Sequence, residues 1–336
     1  MKKILLTGCC GTIGKSLLKK LSKNKNNYLI CIDNNEHSLF ELSNIYSKKN
    51  VKFLLCDIRD KNKLDQVLSK VNTCYHTAAL KHVGLCEDSP SDAIKTNIIG
   101  INNLIEASIN NNIDKFIFTS SDKSVNPTNV MGTTKLMGEK LVTAANFREN
   151  NIKTIFTSVR FGNVIGSSGS VVPIFLNQIL KNQKLTITDK NMTRFLMGLD
   201  DAVNLIINSE KYAKGGEIFI SKMPSTNIFD LALSMIDIVN SKFKLNFSKK
   251  SIKFIGIRPG EKLYEELINS EEINRTFVSS LFFIVLPKIY GVSQRNYKFK
   301  HQKYNENLVI RSNYDQNLNL SQIKSFLLKN FNFNHV

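Results

Sequence analysis

Lys3–Asp33 reads KILLTGCCGTIGKSLLKKLSKNKNNYLICID. Lys3 to Leu6 is a short apolar strand, and the leucine and lysine spacing from Ser16 to Leu21 is that of an amphipathic helix. Gly8, Gly11 and Gly14 lie between them, with Thr12 and Ile13 inside the last interval. Glycines so spaced permit a tight turn, close approach of the backbone to a pyrophosphate and close packing of helix on strand, with the helix amino end facing the phosphates. A second strand, Tyr28 to Ile32, ends in Asp33, about twenty residues on, where a carboxylate can accept both ribose hydroxyls of adenosine. Together these predict a dinucleotide site. Asp33 would repel a 2′-phosphate, and Asn34-Asn35-Glu36 supplies no arginine to hold one, so NAD is expected rather than NADP.

Working outward, Val51 to Leu55, Val71 to His76, Phe116 to Phe118 and Thr154 to Val159 are further strands separated by helical patterns. Six strands alternating with helices predict a doubly wound parallel α/β sheet of Rossmann type, with a smaller C-terminal lobe. The expected division is 1–166 for the dinucleotide-binding domain and 167–285 for the lobe. A segment of about 199–222 should return to the main sheet through the strand Glu217–Ile220, and 286–336 form an extension of unassigned role. Asp57, followed by Ile58, has two readings: a hydrogen bond to the adenine amino group, or a strand-end cap. The small residues Thr77-Ala78-Ala79 would let the backbone lie against the cofactor. His82 is expected to be structural or at the substrate edge, and Asn97 to tie strand to helix. Arg194 is expected in a loop. Arg258, before Pro259-Gly260 and an expected helix, suits a two-pronged grip on a diphosphate or is a plain surface arginine.

The stretch Phe116–Lys140, FIFTSSDKSVNPTNVMGTTKLMGEK, carries the candidate chemistry. Its strand delivers Ser121-Asp122-Lys123 to the carboxyl edge, where open α/β sheets hold ligands. A carboxylate beside an amine offers an acid and a base to one substrate; a capping Asp and a solvated Lys are the alternative.

The chain has 336 residues, 42% of them apolar, enough for a full core. No apolar run reaches the roughly 18 residues of a membrane span and no signal-peptide pattern follows Met1, so a cytoplasmic protein is expected. The six cysteines lack a C-x-x-C spacing and are expected to be reduced core residues, with neither a disulfide framework nor a metal site. A formal charge of +18 comes with no nucleic-acid-binding motif. An anionic small substrate is the simpler partner, and no nucleic acid is expected.

The glycine loop, Asp33, SSDKSVNPTNVMGTTK, RFGNVIGSSGSVVPIF, LTITDKNMTRFLM and GIRPGEKLYEEL occur in the order seen in extended short-chain dehydrogenase/reductases. Over about residues 1–285 the chain resembles their polysaccharide-biosynthesis branch, which contains NAD-dependent 4,6-dehydratases acting on UDP-N-acetylglucosamine. The resemblance implies that Asp122 and Lys123 work on the sugar, that Lys135 holds the nicotinamide ribose, and that Asn163, Arg194 and Arg258 face the UDP portion. Lys81 and Glu261 are further expected substrate contacts, with Val172 and Thr188 near uridine. It also implies a homo-oligomer, and inversion at C5 is favoured for the product.

One departure stands out. Most extended members carry Tyr-x-x-x-Lys where this chain has Met131-Gly132-Thr133-Thr134-Lys135, and none of the nine tyrosines is followed by lysine four residues on. The proton of the sugar 4-hydroxyl therefore needs another acceptor, and Ser121, relaying to Asp122 or solvent, is the candidate. A UDP-sugar C4 epimerase and a non-catalytic dinucleotide-binding regulator are the alternatives.

Overall fold

The computed structural model describes residues 1–46, 50–289, 297, 302–303, 310–313 and 317–334. Strand β1, Lys2–Thr7, buries Ile4, Leu5 and Leu6 in succession rather than in alternation, as a strand covered by helices on both faces must. It is joined by β2 Asn27–Asp33, β3 Val51–Leu55, β4 Thr73–His76, β5 Lys115–Thr119 and β6 Ile155–Arg160. After β6 come β7 Asn163–Val164, β8 Leu185–Ile187, β9 Thr193–Met197, β10 Ile218–Ser221, β11 Ser225–Asn227, β12 Ile252–Phe254, β13 Thr276–Val278, β14 Phe282–Val285 and β15 Gln302–Lys303.

The helices are α1 Thr12–Leu21, α2 Glu36–Ile45, α3 Lys61–Leu68, α4 Val83–Asp88, α5 Pro90–Ile94, α6 Gly100–Asn110, α7 Val130–Ala145, α8 Val171–Leu180, α9 Leu199–Tyr212, α10 Ile228–Phe243, α11 Ser270–Ile273 and α12 Leu320–Asn330. Helices α5 and α6 are joined by a π-helical stretch, Lys95–Ile99, that contains Asn97.

The main sheet has ten strands in the order β15-β13-β14-β10-β6-β5-β4-β1-β2-β3. From β3 to β10 neighbouring strands run parallel, which is the predicted doubly wound arrangement. Chain order reverses between β1 and β4, so the carboxyl ends of these strands open the crevice in which such sheets bind ligands.

The segment 199–222 supplies α9 and β10, and the sheet also takes in β14 and β13, which pair antiparallel beyond β10. These two strands fall inside the stretch assigned to the lobe. Their residues, FFIV and TFV, are too short for a sequence pattern to decide which sheet they join.

One face of the sheet packs on α1 and α9 through Leu17, Leu18, Val203 and Ile206, the other on α3, α6 and α7 through Leu64, Leu104, Ile105 and Val142. A separate apolar cluster forms the lobe. In it Phe175, Leu176, Leu231 and Met235 from α8 and α10 meet Ile323 and Leu327 of α12. The last helix of the extension is therefore part of the lobe core. The basic, aromatic stretch 287–304 lies mostly outside the described residues. Among the described residues no helix is long and apolar enough to cross a membrane.

Candidate active site

The turn after β1 is as tight as its glycines demand. Gly8 has φ +67°, and a Cβ there would sit 2.6 Å from the Ala78 nitrogen; at Gly14 it would sit 2.1 Å from the Gly8 carbonyl oxygen. Asp33 closes the loop, its Oδ2 accepting the Cys10 amide at 3.0 Å and its Oδ1 the Asn35 amide at 3.1 Å. Gly8, Gly11, Asp33, Asp57, Ile58, Ala78 and Ala79 line a cavity of about 490 Å³.

Both Asp57 oxygens meet Arg59, at 2.9 and 2.6 Å, and Oδ1 also accepts the Arg59 amide at 2.9 Å. That pairing holds the Asp57 carboxyl below its ordinary range. The contacts are those of a strand-end cap, made at the edge of the same cavity. Arg59, which sequence reading passed over, lines it too but is committed to Asp57.

All six cysteines are free. The structure brings the ligand atoms of Cys9, Cys10 and Asp33 within 4.8 Å of one another beside this cavity. Burial pushes the Cys10 thiol up, and for Cys9 the hydrogen bond to Cys31 is the larger cause. Both are therefore held as neutral thiols.

A second cavity, of about 350 Å³, adjoins the first, sharing Gly11, Thr77 and Ala79. Thr12, Ile13, Lys81, His82, Ser121, Lys123, Met131, Lys135 and Asn163 line it. Ser121 and Lys123 reach it because β5 ends at Thr119 and a short turn, Asp122–Ser124, is capped by Ser121. Lys123 Nζ lies 3.0 Å from Asp122 Oδ1 and 3.3 Å from Asn163 Oδ1. Asn97 holds the neighbouring loop, bonding both the amide and the carbonyl of Leu80 as well as the Thr134 hydroxyl.

One expectation about this pair is corrected. Asp122 does not face the cavity: it is fully buried, with its amide bonded to the Phe161 carbonyl and its side chain turned inward. The Ser121 hydroxyl, which does line the cavity, donates to Asp122 Oδ1 at 2.9 Å and so connects it to the cleft. Burial pushes the Lys123 ammonium down, but Asp122 and Glu265 outweigh burial and hold it above the ordinary lysine range.

Helix α7 starts against this turn. Asn129 caps it, accepting the Gly132 amide at 2.7 Å, and a Cβ on Gly132 would come within 2.2 Å of the Lys123 carbonyl oxygen. One turn further on, Lys135 Nζ donates to the Thr119 carbonyl at 2.9 Å and lies 4.8 Å from the Phe118 ring centroid. Burial pushes its ammonium down to about 8. Met131 precedes it on the same helix face and lines the cavity with a thioether, which cannot take a proton.

The arginines separate. Arg194 lies on β9 rather than in a loop and is buried; its guanidinium donates to the carbonyls of Thr193, Leu263 and Lys262. It lines neither cavity. Arg258 is exposed on an irregular loop, and no helix follows its Pro-Gly. That loop instead docks on the start of α7: the Gly260 carbonyl accepts Asn129 Nδ2 at 2.9 Å, and Lys262 Nζ reaches the Val125 carbonyl at 2.8 Å. Glu261 Oε2 accepts the Arg258 amide. Val172 is core on α8, and Thr188 is half-buried after β8, away from both cavities.

Sequence reading missed Glu265, whose Oε1 lies 3.3 Å from Lys123 Nζ. The acidic pair in LYEEL was the available signal.

Residues 4–286 match the family described as polysaccharide biosynthesis protein. An uncharacterized membrane protein of Methanocaldococcus jannaschii is 43% identical, covering 97% of this chain and 95% of that one. A Campylobacter jejuni UDP-N-acetylglucosamine 4,6-dehydratase (inverting) is 40% identical, covering 88% and 86%, and a Rickettsia bellii UDP-glucose 4-epimerase is 40% identical, covering 81% and 79%. The solved structure of Pen from Bacillus thuringiensis is 38% identical and superposes with a TM-score of 0.88, covering 98% of each chain. A dTDP-glucose 4,6-dehydratase from Streptomyces venezuelae, solved with NAD, shares the fold at 18% identity and a TM-score of 0.68, covering 78% and 86%.

Proposed function

We propose that this chain, which belongs to the polysaccharide biosynthesis protein family, is an NAD-dependent 4,6-dehydratase of UDP-N-acetylglucosamine. It forms a 4-keto-6-deoxy sugar nucleotide for surface polysaccharide or glycan synthesis, with inversion at C5. The observation that carries this is the Asp122–Lys123 pair, 3.0 Å apart, linked through Ser121 to a cavity that continues into the dinucleotide cradle. The dehydratase relative supports the substrate and the inversion. Six free cysteines support a cytoplasmic setting.

The cradle fits NAD: Gly8 and Gly14 leave no room for side chains, and Asp33 reaches the cavity at the ribose position. Lys135 would hold the nicotinamide ribose, and Lys81, Asn163 and the exposed Arg258 would meet the nucleotide sugar. NAD, when bound, would supply a hydride acceptor for sugar C4 and a hydride donor for C6.

The residues move protons. Ser121 takes the 4-hydroxyl proton and passes its own to Asp122, a route that replaces the missing tyrosine. The 4-keto group makes the C5 proton acidic, and Lys123, once it has given up its own proton to solvent, removes it. The electron pair of that C–H bond forms the C5–C6 double bond as the C6–O bond breaks. Asp122 returns its proton through Ser121 to the departing oxygen, which leaves as water. A solvent proton then reaches the opposite face of C5, which inverts it, and Lys123 gives its proton to solvent.

The test uses UDP-N-acetylglucosamine deuterated at C4, in ordinary water, followed by NMR and mass spectrometry. Deuterium at C6 of a 4-keto-6-deoxy product, with C5 hydrogen drawn from solvent, is expected. A product that is only the C4 epimer, with C6 untouched, would put the epimerase in its place.

A further inference from the structure

We infer that Cys9, Cys10 and Asp33 form a site for a thiophilic divalent cation of the zinc class, and that a cation held there excludes NAD from its cradle. Their ligand atoms, two thiol sulfurs and a carboxylate oxygen, all lie within 4.8 Å of one another. Among the described residues this is the one group of three or more cysteine, histidine or acidic side chains so closely gathered. The site needs the NAD cradle but not the dehydratase chemistry.

Folding builds the cluster from two neighbouring strand ends. β1 and β2 run parallel with Thr7 beside Ile32, so the turn after β1 meets the end of β2. The Cys9 amide donates to the Ile32 carbonyl at 3.3 Å, and the Cys10 amide to Asp33 Oδ2 at 3.0 Å. Asp33 is held from its other side by the Asn35 amide at 3.1 Å. No C-x-x-C spacing announces the group, because two of its members are adjacent in the chain and the third arrives from the next strand.

The donor set selects the metal. Two sulfurs and a carboxylate suit zinc, or cobalt in its place, whereas magnesium and calcium take oxygen ligands. Cys9 is fully buried and backs the site. Cys10 and Asp33 are half-buried and line the cavity, which gives a cation its entry and leaves a fourth position for water. Each thiol gives its proton to solvent as its sulfur binds, so two protons leave for each zinc and binding tightens as the pH rises.

The same geometry sets the cation against NAD. Asp33 is the carboxylate that accepts the ribose hydroxyls, and an oxygen given to zinc is lost to them. A cation between Cys10 and Asp33 also stands at the ribose end of the cavity.

The experiment adds Zn²⁺ to the full-length protein, with a phosphine as reductant, and measures NAD affinity by equilibrium dialysis. At free Zn²⁺ about ten times its own Kd, the apparent Kd for NAD should rise about tenfold, while Mg²⁺ should leave it within about twofold. Co²⁺ should add thiolate-to-cobalt charge-transfer absorbance that NAD removes. Cys9→Ala and Cys10→Ala should each weaken Zn²⁺ binding at least about tenfold, whereas Cys56→Ala, at a cavity cysteine outside the cluster, should leave it unchanged. The cobalt spectrum needs no variant, so it decides the matter even where a cysteine variant fails to fold. Zinc that binds without weakening NAD, cobalt without a thiolate band, or a zinc effect that survives the loss of both cysteines overturns the inference and leaves an adventitious ion only.

Discussion

Arg160 of β6 and Glu139 of α7 form a buried two-pronged ion pair, Nε to Oε1 at 3.0 Å and Nη2 to Oε2 at 2.7 Å. Arg160 also meets Glu272 at 2.9 Å and the Leu267 carbonyl at 2.8 Å, while Ser124 Oγ donates to Glu139 at 2.8 Å. The network lies beneath the candidate site and joins the helix carrying Lys135 to the segment carrying Glu265. Arg160→Met would leave buried Glu139 without its cation and Glu272 with only Arg275, 3.7 Å away, and should cost about 3–5 kcal/mol in a denaturant unfolding experiment. A loss below about 1 kcal/mol would mean that the network does not hold β6, α7 and the Glu272 segment together.

Asp33→Ala should weaken NAD binding by about 1–3 kcal/mol, through lost hydrogen bonds to the ribose and a loosened Cys10 amide. Titration of purified protein with each cofactor checks the companion expectation that NAD binds more tightly than NADP.

Asp122→Asn and Lys123→Ala should each lower turnover at least about a hundredfold while NAD still binds. Ser121→Ala should also lower turnover, since the buried Asp122 reaches the cleft through that hydroxyl. Full activity in Ser121→Ala would mean that Asp122 acts directly.

The two arginines should part in a paired assay of stability and kinetics. Arg194→Ala removes a buried guanidinium from three carbonyls and should cost about 2–4 kcal/mol of stability. Arg258→Ala, at an exposed position, should leave stability within about 0.5 kcal/mol and raise KM with little change in kcat.

Lys135 has a folded-state pKa of about 8, below the ordinary lysine value, because it is buried. Between those two values the unfolded chain holds the proton that the folded chain has lost, so this residue's contribution to stability rises with pH across that window. Its cost is fully present below about pH 8. Lys135→Met should therefore unfold at higher denaturant than wild type at neutral pH, and the gap should narrow as the pH approaches the ordinary lysine range. An unchanged gap would show that Lys135 keeps an ordinary pKa.

The sequence by itself determined the parallel sheet, the dinucleotide cradle and the Asp122–Lys123 pair, because each is written in contiguous residues. Gly8, Gly11, Gly14 and Asp33 belong to one βαβ unit, and a strand end presents its next few side chains to one edge whatever the rest of the chain does. The missing tyrosine was legible for the same reason, since Met131 and Lys135 share a helix face by spacing alone.

Tertiary structure decided what surrounds these groups. MTRF and RPGEKL gave no sign that Arg194 would be spent on the Leu263 and Lys262 carbonyls while Arg258 stayed exposed. Nor did SSDK reveal that Asp122 would turn inward or that Glu265 would come to 3.3 Å from Lys123. Charge state in a protein interior depends on burial and on which opposite charges arrive by folding, and Glu265 arrives from a segment held in place by Ser312. Local spacing carries no information about either, so the sequence could set Asp122 beside Lys123 but could not say which groups would surround the Lys123 ammonium.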